Sequence, residues 1–258
     1  MKKLLLLVAI ALISVPTNAQ WGKRIRGNGD SKTIVHNVGD YDSVKIAGFF
    51  DTTLVKGTEG SIELTGESNL LDNIEVFVKN GTLTIKSKRL VELIPSRKTP
   101  ILISIPVKDI NGMTLSGSGS ITSKFRLESP KFKTVLSGSG DIYAAIDTTE
   151  LDVTIAGSGD IELDVKASEI DVNISGSGET TLDGSTQSLD VNIAGSGDVH
   201  AYDLNAKIAD INISGSADAS VFVSERLQVR IAGSGDVHYK GNPKVDSRII
   251  GSGDLIKN

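Results

Sequence analysis

The stretch Leu151-Asp152-Val153-Thr154-Ile155-Ala156-Gly157-Ser158-Gly159-Asp160-Ile161-Glu162-Leu163 decides the fold. Its first five residues alternate apolar and polar, with β-branched side chains among them, as in a strand that buries one face. Gly-Ser-Gly interrupts the alternation, an acid follows, and a second short strand begins. The unit recurs. Ile170 to Ile174, Leu189 to Ile193, Ala209 to Ile213 and Leu227 to Ile231 repeat the first strand, and Asp198-Val199-His200-Ala201 and Asp236-Val237-His238-Tyr239 repeat the second. The tripeptide starts at Gly117, Gly138, Gly157, Gly176, Gly195, Gly233 and Gly251, and Gly215-Ser216-Ala217 fills the gap, so successive corners lie 18 to 21 residues apart.

Antiparallel hairpins closed by Gly-Ser-Gly would make a sandwich or propeller, but a propeller blade needs about 40 residues. A short, nearly constant period with like residues at like places is what one circuit of a solenoid requires. The expected fold is all-β: a right-handed parallel β-helix of ~18–21-residue circuits, stacked at about 4.8 Å. Val153, Ile155, Ile161 and Leu163 should point inward and meet their equivalents above and below. Glycine at the corner supplies positive φ or close backbone approach without steric cost.

Outward from the repeat, four segments are expected. Residues 111–258 form the Gly-Ser-Gly helix. Residues 41–110 form an irregular β region that begins or caps it, with the glycine signature missing. Its strands are Ser43 to Ala47, Asp51 to Lys56, Ser61 to Thr65, Ile74 to Lys79, Thr82 to Lys86, and Ile101 to Ile105 closed by Pro106. Asn80-Gly81 signals a type I′ hairpin, and Ser68 to Asp72 a single helical turn. Residues 20–40, Gly-rich and charged, read as a flexible leader. Residues 1–19 read as a secretory signal peptide, with Lys2-Lys3 before an uncharged run that is too short for a membrane span. No other segment is apolar enough to span.

Composition narrows the function. There is no cysteine, so disulfides, thiolate zinc sites and a lipoprotein anchor are excluded. A net charge of −5 without a basic stripe argues against nucleic acid. Aromatics at 4% leave little for sugar stacking. Asp141, Asp160, Glu179, Asp198, Asp218, Asp236 and Asp254 each follow a corner and should stack; they could fan into solvent, bond turn backbone or bind calcium, although the pattern differs from calcium-binding nonapeptides. Thr154, Asn173, Asn192 and Asn212 should form a second outward row beside Asp152, Asp171, Asp190 and Asp210, in which stacked amides can hydrogen-bond. His200 and His238 fall two circuits apart, too far to share a metal. Picking a catalytic pair such as Glu162 and Asp164 is arbitrary when every circuit carries acids, so no catalytic, cofactor-binding or metal residue is assigned.

The segment Tyr41-Asp42-Ser43-Val44-Lys45-Ile46-Ala47-Gly48-Phe49-Phe50-Asp51, then Asn80-Gly81-Thr82-Leu83-Thr84-Ile85 and the Ser/Ala-Gly-Ser-Gly-Asp repeats, resembles the DUF2807 family, the auto-transporter adhesin head GIN domain common in Bacteroidetes envelopes. The resemblance covers Tyr41 onward and implies a β-helix; it carries over no functional residues. The expected function is an exported, non-enzymatic adhesin or envelope-interaction module, in the periplasm, on the outer-membrane surface or outside the cell, whose ligand is a glycan or surface protein. A carbohydrate-binding or polysaccharide-degrading protein, a lipid-binding protein and a calcium-stabilised β-roll are the alternatives.

Overall fold

A computed structural model describes residues 22–96 and 99–258, so the expected signal peptide lies outside the described residues. The chain is all-β and winds into a β-solenoid of about eight turns. On one side, the segments ending in Gly48, Gly117, Gly138, Gly157, Gly176, Gly195, Gly215, Gly233 and Gly251 pair in parallel register. On the next side, the residues after each corner do the same, from Asp51–Lys56 up to Leu255–Lys257. Where a longer circuit meets a shorter one the register shifts, as between Thr122 and Arg126 and between Thr181 and Gly184, so bulges absorb the unequal spacings.

Alternation fills the coil with like-on-like columns. Ile46, Leu115, Leu136, Ile155, Ile174, Ile193, Ile213 and Ile231 stack inside, as do Ile121, Ile142, Ile161 and Val199 around the corner. Threonines interrupt two of the columns: Thr134 lies between Met113 and Val153, Thr180 between Ile161 and Val199, and Thr52 beneath Ile121 in the same column as Thr180. All three hydroxyls are buried without a hydrogen-bond partner.

The corners explain the glycines. At Gly157, φ is +140° and an added Cβ would run into the carbonyl oxygen of Gly138. The third corner residue has no positive φ, but a Cβ there would meet the backbone and inner side chains of the circuit below; at Gly159 these are Gly140 and Leu136. Ala217 carries such a Cβ, and the corner changes there. Asp141, Asp160, Glu179 and Asp198 donate their N–H to the glycine carbonyl below, whereas Asp218, Asp236 and Asp254 donate theirs to the carboxylate of the preceding acid at 2.8 Å. Glycine returns at Gly235 and Gly253, but these circuits stack on the altered one and keep its pattern.

The coil register begins earlier than the glycine signature. Ser43–Gly48 lies under Gly112–Gly117, and Asp51 under Ser120. The first corner is therefore Gly48-Phe49-Phe50, with φ +149° at Gly48 and a buried Phe50 in place of a glycine. Directly below it Thr82–Ser87 and Leu102–Val107 still pair in parallel with Ser43–Gly48 and Asp51–Lys56, and the sheets turn antiparallel beyond them. Ile74–Lys79 and Thr82–Ser87 form the hairpin through Asn80 and Gly81, both at positive φ as a type I′ turn requires. Ser61–Glu67 pairs antiparallel with Leu102–Val107, and Ser68–Leu71 forms the helical turn.

Two expectations need correction. Residues 20–40 are not merely a flexible leader: Lys23–Arg26 pairs with Val91–Ile94, and Ser31–Asn37 pairs along the whole of Ser61–Glu67. These strands lie at the rim with little burial, so they lack the apolar alternation that reveals a strand. Pro106 does not close its strand, which runs to Val107. The antiparallel neighbour ends opposite Ser104, so the missing N–H of Pro106 breaks no ladder bond.

Candidate binding face

The side before the glycines carries the regular polar rows. Thr154, Asn173, Asn192, Asn212, Arg230 and Arg248 form one outward column. Its hydrogen bonds run down the stack: Arg230 Nη1 donates to Asn212 Oδ1 at 3.1 Å, Asn212 Nδ2 to Asn192 Oδ1 at 3.2 Å, and Asn192 Nδ2 to Asn173 Oδ1 at 3.4 Å. The amide ladder read from the sequence is therefore present, and an arginine at its upper end orients it.

Beside it stand Asp152, Asp171, Asp190 and Asp210. Partial burial and then the neighbouring carboxylates, Asp152 and Glu150 for Asp171, and Asp171, Asp210 and Glu169 for Asp190, hold both pKa values above the ordinary range. Cations close the two ends of this acidic stripe. Lys133 lies beneath Asp152, Lys131 beside it bonds Glu150, which raises the Lys131 pKa, and Arg230 reaches Asp210 at 3.1 Å.

Small residues, Ala156, Ser175, Ala194, Ser214 and Ala232, form the column between the amides and the corners. They leave open depressions over the inner isoleucines. One of about 280 Å³ is lined by Asn173, Asn192, Asn212, Ser175, Ala194 and Ser214. Another of about 250 Å³ continues it over Arg230, Ala232 and Arg248.

The acids after the corners are relieved in several ways. Ser120 Oγ donates to Asp51, His200 Nε2 lies 3.2 Å from Glu179, and the carboxylates of Asp198, Asp218 and Asp236 each accept the N–H of the next circuit's acid. Asp141, partly buried and close to Asp160, keeps a raised pKa. Among the described residues no group of three or more His, Asp or Glu side chains converges to hold a metal. His200 and His238 are separated by Ser220, as the spacing predicts.

Sequence reasoning missed a carboxylate in the cap. The side chain of Glu67 is buried and accepts from Ser96 N–H at 2.8 Å, Ser96 Oγ at 2.7 Å and Gly29 N–H at 2.6 Å. The Ser96 bonds lead in holding its pKa below the usual carboxylate value. The two rim segments are thus tied to one buried charge, which no local pattern announces. No helix among the described residues is long and apolar enough to cross a membrane.

Several solved structures share this fold. A protein from Parabacteroides distasonis ATCC 8503, described as a putative lipid binding protein, is 29% identical with a TM-score of 0.86, over 92% of this chain and 100% of that one. A putative adhesin from the same strain is 25% identical, with a TM-score of 0.82 over 92% and 100% of the two chains. A putative adhesin from Parabacteroides merdae ATCC 43184, 21% identical over 92% and 99%, has a TM-score of 0.85 and speaks for the fold alone. No curated protein matches the chain. The family model described as "Putative auto-transporter adhesin, head GIN domain" matches residues 40–164 and 149–243, which together take in the first circuit, the cap and most of the repeats; the chain belongs to that family, DUF2807.

Proposed function

We propose that this protein is an exported, non-enzymatic module that holds an extracellular or envelope ligand, a surface glycan foremost, against the side of the coil bearing Asn173, Asn192 and Asn212. The observation that carries the reading is the hydrogen-bonded amide ladder lying along an open depression. An amide has two N–H donors and two acceptor lone pairs, and the ladder uses one of each at Asn192, leaving one of each for a ligand hydroxyl. Repetition at strand spacing suits a repeating polymer. The adhesin-type family supports a surface or exported location. A binding role is favoured over catalysis because the aspartates stand in an even column, where no two are set apart as acid and base.

The lipid named for one relative makes vesicles the necessary comparison. A glycan array and whole-cell binding, with calcium at about millimolar level or with EDTA, test the reading, vesicles of phosphatidylcholine and phosphatidylglycerol serving as the lipid arm. Binding to glycans that persists in EDTA supports it. Binding to vesicles alone, or to nothing, rejects it.

A further inference from the structure

Among the described residues the upper end of the coil is open. Lys244–Gly251 is exposed at every residue, and among the described residues its ladder is filled only from below, by Arg226–Gly233. Val245 and Ile249 continue inner columns, yet each is 37% exposed, whereas Leu227 and Ile231, one circuit down, are at 0% and 2%. Ile250 is 60% exposed. An uncovered parallel edge with an apolar row is a template for another strand. The lower end differs: antiparallel strands close it, and Phe50, Leu70 and Leu71 there are buried.

The edge sequence specifies its own partner. Val245-Asp246-Ser247-Arg248-Ile249 is complementary to its own reverse: apolar, acid, serine, base, apolar. In an antiparallel pair centred on Ser247, Val245 faces Ile249 and Asp246 faces Arg248, twice each. Inward residues meet inward ones and outward residues meet outward ones, as the two-residue period demands. Within one copy these charges are unanswered. Arg248 sits directly above Arg230, which is already bound to Asp210, and neither Asp246 nor Arg248 makes an ion pair among the described residues. A second copy supplies an acid to each Arg248 and a base to each Asp246.

We infer that two copies of this chain join end to end through their Lys244–Gly251 edges, antiparallel about a two-fold axis at Ser247. The isologous contact closes at two copies, because each copy has one such edge and uses it once. This inference is independent of what the amide face binds.

Sedimentation velocity and small-angle scattering on the purified full-length exported chain should give a dimer about twice as long as one coil. Asp246→Arg sets base against base at two places, and Arg248→Asp sets acid against acid. Each alone should weaken the dimer by roughly tenfold or more. The double variant Asp246→Arg/Arg248→Asp should restore it. An equimolar mixture of the two single variants should also form a heterodimer, since the base introduced at position 246 of one copy then faces the acid introduced at position 248 of the other. A matching melting temperature for each variant shows that the fold survives. A monomer at all concentrations, longer head-to-tail oligomers, a dimer indifferent to the single reversals, or a mixture that fails to pair would each overturn the inference.

Discussion

The repeats and the first circuit share one register but are built on different principles. Above Ser120 like residues recur on like: glycine on glycine, isoleucine on isoleucine, asparagine on asparagine. Below it, single residues take singular roles. Phe50 fills the corner where later circuits have glycine, and Glu67 gathers N–H groups from Gly29 and Ser96. Regularity allows about eight turns to be specified by one short unit, while the lower end closes its inner columns with antiparallel strands that no repeat encodes.

That contrast can be broken from either side. The largest effect is expected in the cap. Phe50→Ala should cost about 3–5 kcal/mol, because it removes a fully buried ring from the corner and leaves a cavity there. In the repeats, Gly157→Ala should cost about 3 kcal/mol, combining a forbidden φ with a collision against the backbone of the circuit below. Urea unfolding of both variants gives the order. Thr180→Val should go the other way and stabilise by about 1 kcal/mol, since it removes a buried, unpaired hydroxyl from between Ile161 and Val199 without changing its shape.

Acid separates the two regions by sign. The lowered pKa of Glu67 gives the cap stability that is complete above the unfolded-state value, about 4.3, and is lost as pH falls through the folded-state value. Glu67→Gln should abolish that component of a pH titration of cap unfolding. The raised values of Asp171 and Asp190 act oppositely: their contribution is complete below the unfolded-state value, about 3.9, and is lost as pH rises through the folded-state values. Asp190→Asn should therefore raise stability at pH 7 by about 0.5 kcal/mol, the smallest of these effects, and the gain should vanish in acid. Thermal melts at the two pH values would show it.

The same contrast decides what could be read from the chain. The coil, its inner columns and the amide ladder were legible because each circuit restates them: Asn173, Asn192 and Asn212 lie at the same offset before their glycines. The hairpin at Asn80-Gly81 was legible because a type I′ turn constrains two adjacent residues. The first corner was hidden by Phe50, which looks nothing like a glycine until Ser120 is seen above Asp51. The rim strands at Lys23–Arg26 and Ser31–Asn37 were hidden because they bury too little to alternate. Glu67 could not be found by pattern, since its partners lie far away in sequence and only the fold brings them together. Part of the acid row was hidden for a related reason. Its neighbours could be counted from the period, but the N–H donated by the next circuit's acid could not.

Whether the amide-bearing side is the binding surface can be read from two triple variants compared in whole-cell and glycan binding. One carries Asn173→Lys, Asn192→Lys and Asn212→Lys. The other carries Thr181→Lys, His200→Lys and Ser220→Lys, a stacked outward column on the adjacent side. The account predicts that the first loses binding and the second keeps it, with both still folded. Loss in the second with retention in the first, or equal retention in both, would contradict it.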